Sequence, residues 1–221
     1  MGMSADAGGA TSEARRWWWR EELVLSMLLN HYFANKDFVL VLRLLNRLLV
    51  ERERRAPGVP DPKVWSRVGY VQLQMGDVEG AATTFKKVEE MAAGAMSAGG
   101  TVADETRALL TKNEGLAMFA RKDYVGALER FQRVVEARPY DTVAANNRAL
   151  CLMYSCNLIG AIRALEDALH THPLHHLDET LVLNLCSMYE LVPNSTEKKR
   201  KLSAWVSKFA SEDFDLTATR L

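Results

Sequence analysis

Histidine and carboxylate side chains crowd one short stretch of this sequence, and both groups are common metal ligands. The stretch holds four histidines and two acids, namely His170, His172, His175, His176, Asp178 and Glu179. A metal ion would need three or four of them to converge in a tight geometry. Pro173 interrupts the helix between them, so helical spacing cannot collect them on one face. We therefore predict a solvent-exposed turn here and no metal site.

Other signatures of catalysis are missing from the sequence. It has no glycine-rich phosphate loop followed by lysine, no HExxH motif, and no serine or cysteine within a nucleophile motif. The cysteines Cys151, Cys156 and Cys186 show no CxxC spacing and fall on apolar helical faces, which predicts reduced, buried thiols. The sequence predicts a protein that is not an enzyme and uses no cofactor.

The composition of the chain disfavours two classes of partner, nucleic acids and the interior of a membrane. The chain has 221 residues, of which 48% are hydrophobic, so it can build a substantial core. Basic and acidic side chains balance at 28 each, which disfavours nucleic-acid binding. The first residues lack the apolar core of a signal peptide, and the apolar run at residues 38–50 is too short and too charged to span a bilayer. We expect a cytoplasmic protein without integral membrane contact.

Two stretches of the chain align with each other at an offset of 34 residues. The aligned positions share one pattern of small and bulky side chains. The pairs are Asn113 with Asn147, Gly115 with Ala149, Met118 with Leu152, Gly126 with Gly160, Ala127 with Ala161, Phe131 with Leu165, and Pro139 with Pro173. This period is typical of the tetratricopeptide repeat, a pair of antiparallel helices.

The spacing within the repeat has a physical reason. Gly115 and Ala149 lie on first helices where the second helix, through Ala127 or Ala161, approaches closely and leaves room only for small side chains. Pro139 and its counterpart in the next repeat should end the second helices, because proline lacks the amide hydrogen. We predict an all-α fold, a superhelical solenoid of helix pairs whose natural role is binding.

The same template divides the whole chain. We predict a disordered segment at 1–14, a repeat domain at 15–210 and a C-terminal tail at 211–221. The predicted repeats lie at about 22–55, 62–95, 108–141 and 142–175, followed by a final helix pair at 176–210. Extra residues at 92–107 exceed the standard period, and their glycines favour a loop or a loosely extended second helix.

The two ends of the predicted repeat domain differ. The last helix carries Leu202, Trp205, Val206 and Phe209 on one apolar stripe and places lysines elsewhere, as a terminal capping helix should. The first repeat instead follows three consecutive tryptophans, Trp17, Trp18 and Trp19, which cannot all face one core. Either this segment folds back as a lid or a partner covers it, and we place a partner-binding edge there.

First helices line the concave side of such a solenoid, which predicts a second binding surface. Its candidate residues are Tyr70, Lys112, Asn113, Leu116, Asn147, Leu150 and Met153. The asparagines at equivalent repeat positions could pair with an extended peptide backbone, or each could bond only the backbone of its neighbouring repeat. Val143, Leu177 and Leu181 stand where chaperone-binding repeats carry charge, so recognition of a chaperone tail is disfavoured.

The stretches RWWWREELVLSMLLNHYFANKDF and AANNRALCLMYSCNLIGAIRALEDALHTHPLHHLDETLVLNLCSMYEL resemble the C-terminal repeat region of the trafficking protein particle (TRAPP) complex subunit 12 family. The resemblance covers residues 17–191. Members of that family carry a long region ahead of these repeats that this sequence lacks, and the residues after Pro193 match them poorly. That is expected of a fragment or a short form.

The resemblance implies a non-enzymatic adaptor of the TRAPP III vesicle-tethering complex, which acts on Rab-type GTPases in endoplasmic reticulum to Golgi traffic and in autophagy. The exchange activity of that complex belongs to its small core subunits. By this resemblance the chain would bind large TRAPP III subunits and associate with early secretory membranes only peripherally. The alternative is a free repeat adaptor that captures a short linear peptide in its groove.

Overall fold

A computed structural model describes residues 12–58, 61–97, 100–212 and 214–219 of the protein. Every regular element within these ranges is helical. In chain order the elements are α1 (Ser12–Ala34), α2 (Phe38–Arg55), α3 (Pro62–Gln74), α4 (Val78–Ser97), α5 (Gly100–Ala120), α6 (Tyr124–Ala137), α7 (Thr142–Tyr154), α8 (Leu158–Thr171), α9 (Pro173–His176), α10 (Glu179–Tyr189), α11 (Ser195–Phe209) and a short 3-10 helix (Leu216–Thr219). The predicted all-α class is confirmed.

The chain divides into two compact units, Met1–Met91 and Ala92–Leu221. In the first unit, α1, α2 and α3 bury an aliphatic core that includes Leu29, Leu45 and Val71. In the second unit, one cluster joins α6 and α7 around Phe131, and a larger one joins α8, α10 and α11 around Leu165. Each successive helix from α5 to α8 packs against the next, as expected of helix pairs.

Small residues mark the closest approaches between helices. Ala127 and Ala161 are completely buried, as the predicted register requires. A methyl group added at Gly115 would lie 3.0 Å from the ring of Phe131, so the predicted close contact at Gly115 is confirmed, with the aromatic ring as its partner. Gly69 on α3 faces Phe85 on α4 in the same way. The repeat therefore fixes a small residue on one helix against a bulky residue on the next.

The turns that join the two helices of a pair share one backbone conformation. A residue with positive φ precedes a side chain that caps the next helix, because the cap's oxygen accepts a hydrogen bond from a first-turn amide. The residues with positive φ are Lys36, Gly76, Lys122 and Cys156, and the caps that follow them are Asp37, Asp77, Asp123 and Asn157. Pro139 and Pro173 follow the ends of α6 and α8, as predicted.

Glycine should be favoured at these positive-φ positions, because L side chains clash in the left-handed conformation. We expect Lys122→Gly to raise the free energy of unfolding by about 0.5 to 1 kcal/mol and Gly76→Ala to lower it by about as much. Urea unfolding of both variants would check this. A loss of stability in Lys122→Gly would mean that its side chain contributes contacts that outweigh the backbone cost.

Helix boundaries depart from the sequence expectation in two places. Helix α5 already begins at Gly100, whereas the third repeat was predicted to start near residue 108; residues 92–97 continue α4, which is the extended second helix that was one of the two expectations for this stretch. Alanine and methionine dominate this stretch and favour helix enough to tolerate its glycines. Helix α1 begins at Ser12, inside the segment predicted to be disordered, and Glu13 in its first turn suits the helix dipole. The rest of that segment lies outside the described residues.

Candidate partner-binding surfaces

His176 is 1% exposed, so the prediction that the histidine stretch forms an exposed turn is wrong at this residue. Its Nε2 lies 2.8 Å from the carbonyl oxygen of Pro139, and its Nδ1 lies 3.2 Å from Oγ1 of Thr142. The Thr142 hydroxyl also donates to the backbone oxygen of His175 at 2.8 Å. The imidazole therefore ties α9 to the junction between α6 and α7, a contact between residues more than 30 positions apart.

The neighbouring histidines contact an aromatic ring. The rings of His172 and His175 each lie 4.6 Å from that of Tyr140, on the same junction. Burial lowers the pKa of the His176 imidazole, the charges of these two histidines lower it further, and its hydrogen bond to Pro139 opposes the shift. Among the described residues no three His, Cys, Asp or Glu side chains are grouped so that they could hold a metal ion. The arrangement is suited to fixing a junction between helices.

The three cysteines differ in burial. Cys151 and Cys186 are buried, as predicted, and burial raises the pKa of the Cys151 thiol to about 12, which leaves it protonated and unreactive. Cys156 is exposed, so the prediction of burial is wrong there. It occupies the positive-φ position of the turn between α7 and α8.

The polar residues of the predicted groove are largely engaged inside the fold. Lys112 Nζ lies 2.6 Å from Oδ2 of Asp141, and the other oxygen of that carboxylate caps α7. Asn147 donates its side-chain amide to the Val143 carbonyl of its own helix at 2.9 Å. Asn113 is only 3% exposed. Asn147 therefore bonds the backbone of its own helix, which neither of the two alternatives for the asparagines predicted.

The apolar groove residues are half-buried. Leu116, Leu150 and Met153 pack against the cores of the second unit and leave part of each side chain accessible. Tyr70 lies in the first unit, where its ring stacks on Phe33 at 5.5 Å and burial raises its pKa. The structure thus brings the α5 and α7 residues into one unit and leaves Tyr70 in the other.

A pair of asparagines that sequence reasoning did not connect links two first helices. Asn184 on α10 donates from Nδ2 to Oδ1 of Asn146 on α7 at 2.9 Å. The two residues are 38 positions apart, which exceeds one repeat period because α9 intervenes. An internal alignment at a fixed offset therefore could not have paired them.

The last helix and the tail cover the end of the second unit. Leu202 and Val206 are buried, Trp205 is half-buried with its ring 5.3 Å from that of His170, and Phe209 is exposed. The predicted apolar stripe is therefore confirmed except at Phe209. The 3-10 helix packs on α10, where Cys186 Sγ donates to the Thr219 carbonyl oxygen at 3.2 Å.

The tryptophans lie on the continuous helix α1, so the expectation that this segment folds back as a lid is wrong. Trp18 faces inward and is half-buried, with the guanidinium of Arg55 5.4 Å from its ring centre. Trp17 and Trp19 are 60% and 65% exposed. Consecutive residues on a helix point about 100° apart, which explains why one ring is covered and its neighbours are not.

Further apolar residues continue this exposed face of α1 toward its C-terminus. These further residues are Leu23, Val24, Met27 and Leu28, and all four are exposed, as Trp17 and Trp19 are. Exposed apolar side chains gathered along one helix in this way are typical of an interaction site in a folded protein. Within the described residues, no helix is both long and apolar enough to cross a membrane.

Comparison with known proteins gives two kinds of likeness. No protein-family model matches the chain. It is similar to trafficking protein particle complex subunit 12 of Mus musculus, with 28% identity over 73% of this chain and 20% of that protein. It is also similar to the subunit of the same name from Homo sapiens, with 25% identity over 100% of this chain and 30% of that protein. The chain thus spans less than a third of the length of these relatives.

The solved structures support the fold. The crystal structure of TTC0263, a thermophilic tetratricopeptide-repeat protein of Thermus thermophilus, matches with a TM-score of 0.59 and 18% identity. The match covers 90% of this chain and 100% of that one. The chain is therefore a tetratricopeptide-repeat region similar to TRAPP complex subunit 12.

Proposed function

We propose that this tetratricopeptide-repeat region, with its similarity to TRAPP complex subunit 12, is a non-enzymatic adaptor that holds large protein subunits in a vesicle-tethering assembly of the TRAPP III type. Its place of action would be the cytoplasmic side of early secretory membranes, in endoplasmic reticulum to Golgi traffic and autophagy. Its membrane association would be peripheral, through the complex.

The exposed apolar face of α1 carries this proposal. Adjacent helices in stacked repeats bury their apolar faces against each other. Helix α1 instead exposes two tryptophans and four aliphatic or methionine side chains. Tryptophan is enriched among the residues that dominate binding energy at protein interfaces. The face therefore suits a permanent protein contact.

Co-purification from a cell extract tests the proposal. The full chain serves as bait beside Trp17→Ser/Trp19→Ser, and bound proteins are identified by mass spectrometry. We expect TRAPP subunits with the unchanged chain and a loss of at least about tenfold with the double variant, because interface tryptophans contribute about 2 kcal/mol or more each. Both rings are largely exposed, so the melting temperature should stay nearly unchanged.

Trp18→Ser is the matched control, because Trp18 is half-buried against Arg55. It should lower the melting temperature and disturb binding less than the double variant does in correctly folded protein. The rival function, capture of a linear peptide in the groove, is probed by Leu150→Glu/Met153→Glu. Partners that are lost with this variant and retained with the tryptophan variant would favour the groove. Absence of TRAPP subunits from every bait would contradict the adaptor proposal.

A further inference from the structure

The exposed face of α1 has an ordered layout along the helix. Arg16, Arg20, Leu23 and Met27 follow one another at intervals of four, three and four residues, so they form a single line along the outer side. Trp19 flanks this line on one side and Val24 on the other. The line is basic in its N-terminal half and apolar in its C-terminal half.

Two of the three acids of α1, Glu21 and Glu22, point the other way, whereas Glu13 is exposed in the first turn, three residues before Arg16. Glu21 pairs with Arg47 and Arg55 of α2, at 3.3 Å and 2.5 Å. Glu22 pairs with Arg52 of the same helix. These contacts turn the carboxylates toward α2 and leave arginines among the tryptophans and aliphatic side chains of the outer face. Arg20 also lies over the ring of Trp17, at 4.9 Å from its centre.

Because α1 is a helix, its outer face favours one backbone conformation for a bound partner segment. An extended peptide gains affinity by pairing its backbone with exposed main-chain groups, and a helix interior offers none because its amides are bonded within the helix. An amphipathic helix can instead lay an apolar stripe along the side chains of α1, as ridges pack into grooves. The arginine line adds a preference for acids beside that stripe.

We propose that the outer face of α1 docks an amphipathic helix of a protein partner whose apolar stripe is flanked by Asp and Glu. The acids pair with Arg16 and Arg20, and the stripe covers Trp19, Leu23 and Met27. The identity of that partner as a subunit of a tethering complex rests on the proposed function, whereas the docking chemistry can be tested without it.

Two synthetic helical peptides test the docking chemistry. Each has about 20 residues, enough to span about 30 Å, and carries a leucine stripe. One is flanked by Glu and the other by Lys. Anisotropy of the labelled peptides is measured against the full chain at low salt. We expect the acidic peptide to bind at least about tenfold more tightly than the basic one, because like charges across an interface disfavour binding. Met27→Glu, at a residue 64% exposed, should abolish binding.

Charge reversal supplies the decisive control. Arg16→Glu/Arg20→Glu should exchange the preference, so that the basic peptide binds and the acidic one does not. Val125→Glu, at an exposed residue on α6, should change nothing. Equal binding of both peptides, or binding that survives Met27→Glu, would overturn the proposal. A dimer of the chain that Met27→Glu dissociates would assign the face to a second copy and overturn it as well.

The outcomes separate this inference from the proposed function. If TRAPP subunits co-purify with the chain and neither peptide binds, the adaptor role stands and the acidic-helix chemistry is wrong. If the acidic peptide binds with the expected charge dependence and no TRAPP subunit is recovered, the docking site stands and the assembly is wrong.

Discussion

Ala127→Arg and Ala161→Arg are each expected to lower the free energy of unfolding by more than about 3 kcal/mol, enough to unfold much of a marginally stable chain. Both alanines are completely buried at contacts between helices. An arginine there must displace its neighbours, and its charge would have to leave water without a partner. Thermal and urea unfolding followed by circular dichroism would measure the loss.

Each variant has a control two residues away on the same helix. Val125 and Ile159 are exposed, so Val125→Arg and Ile159→Arg introduce the same side chain without burying it. We expect them to change the free energy of unfolding by less than about 0.5 kcal/mol. If Ala127→Arg melted like Val125→Arg, the packing register of α5 and α6 would be wrong.

The internal offset predicted the second unit well because the repeat rests on local packing. Gly115 against Phe131 and the buried pair Ala127 and Ala161 are short-range consequences of helix pairing, and the sequence repeats them. The prolines that end α6 and α8 act on their own helices. Features that depend only on a residue's own helix or on its partner helix could therefore be predicted from the sequence.

Contacts between residues of different repeats could not be predicted from the sequence. His176 bonds Pro139 and Thr142, and Asn184 bonds Asn146, and neither contact follows from any helical period. For residues 92–107 the sequence left a loop and an extended second helix open, and the structure extends α4 to Ser97 and begins α5 at Gly100. Helix propensity summed over many residues outweighs a few glycines.

The candidate site also has features that the sequence predicted and features that it could not predict. The tryptophan triplet predicted that part of this segment would stay exposed, because three consecutive large rings cannot share one core. The sequence could not tell which ring faces inward, since that depends on Arg55 in α2. It also suggested that the asparagines were available to a peptide, whereas the Asn147 amide is bonded to Val143 and Asn113 is buried. Polarity at a repeated position did not guarantee access.

His176→Ala is expected to lower the free energy of unfolding by about 2 to 4 kcal/mol, because it opens a cavity at a buried side chain and removes the hydrogen bond to the Pro139 carbonyl. His175→Ala, at an exposed neighbour, is the control and should cost less than about 1 kcal/mol. Urea unfolding at neutral pH would compare the two variants. Equal losses would mean that the imidazole of His176 does not fasten the junction.

The same imidazole should make stability depend on pH. Burial holds the pKa of His176 below its ordinary value, so the unfolded chain binds that proton more readily than the folded one. Its contribution is therefore complete above the ordinary histidine pKa of about 6.5 and is lost as the pH falls below that value. The charge of Asp141 opposes the lowering of this pKa, and positive charge on His172 and His175 adds to it. Unfolding measured between about pH 7.5 and pH 5 should show a decline that is smaller in His176→Ala than in His175→Ala. An identical decline in both variants would assign the acid sensitivity to other groups.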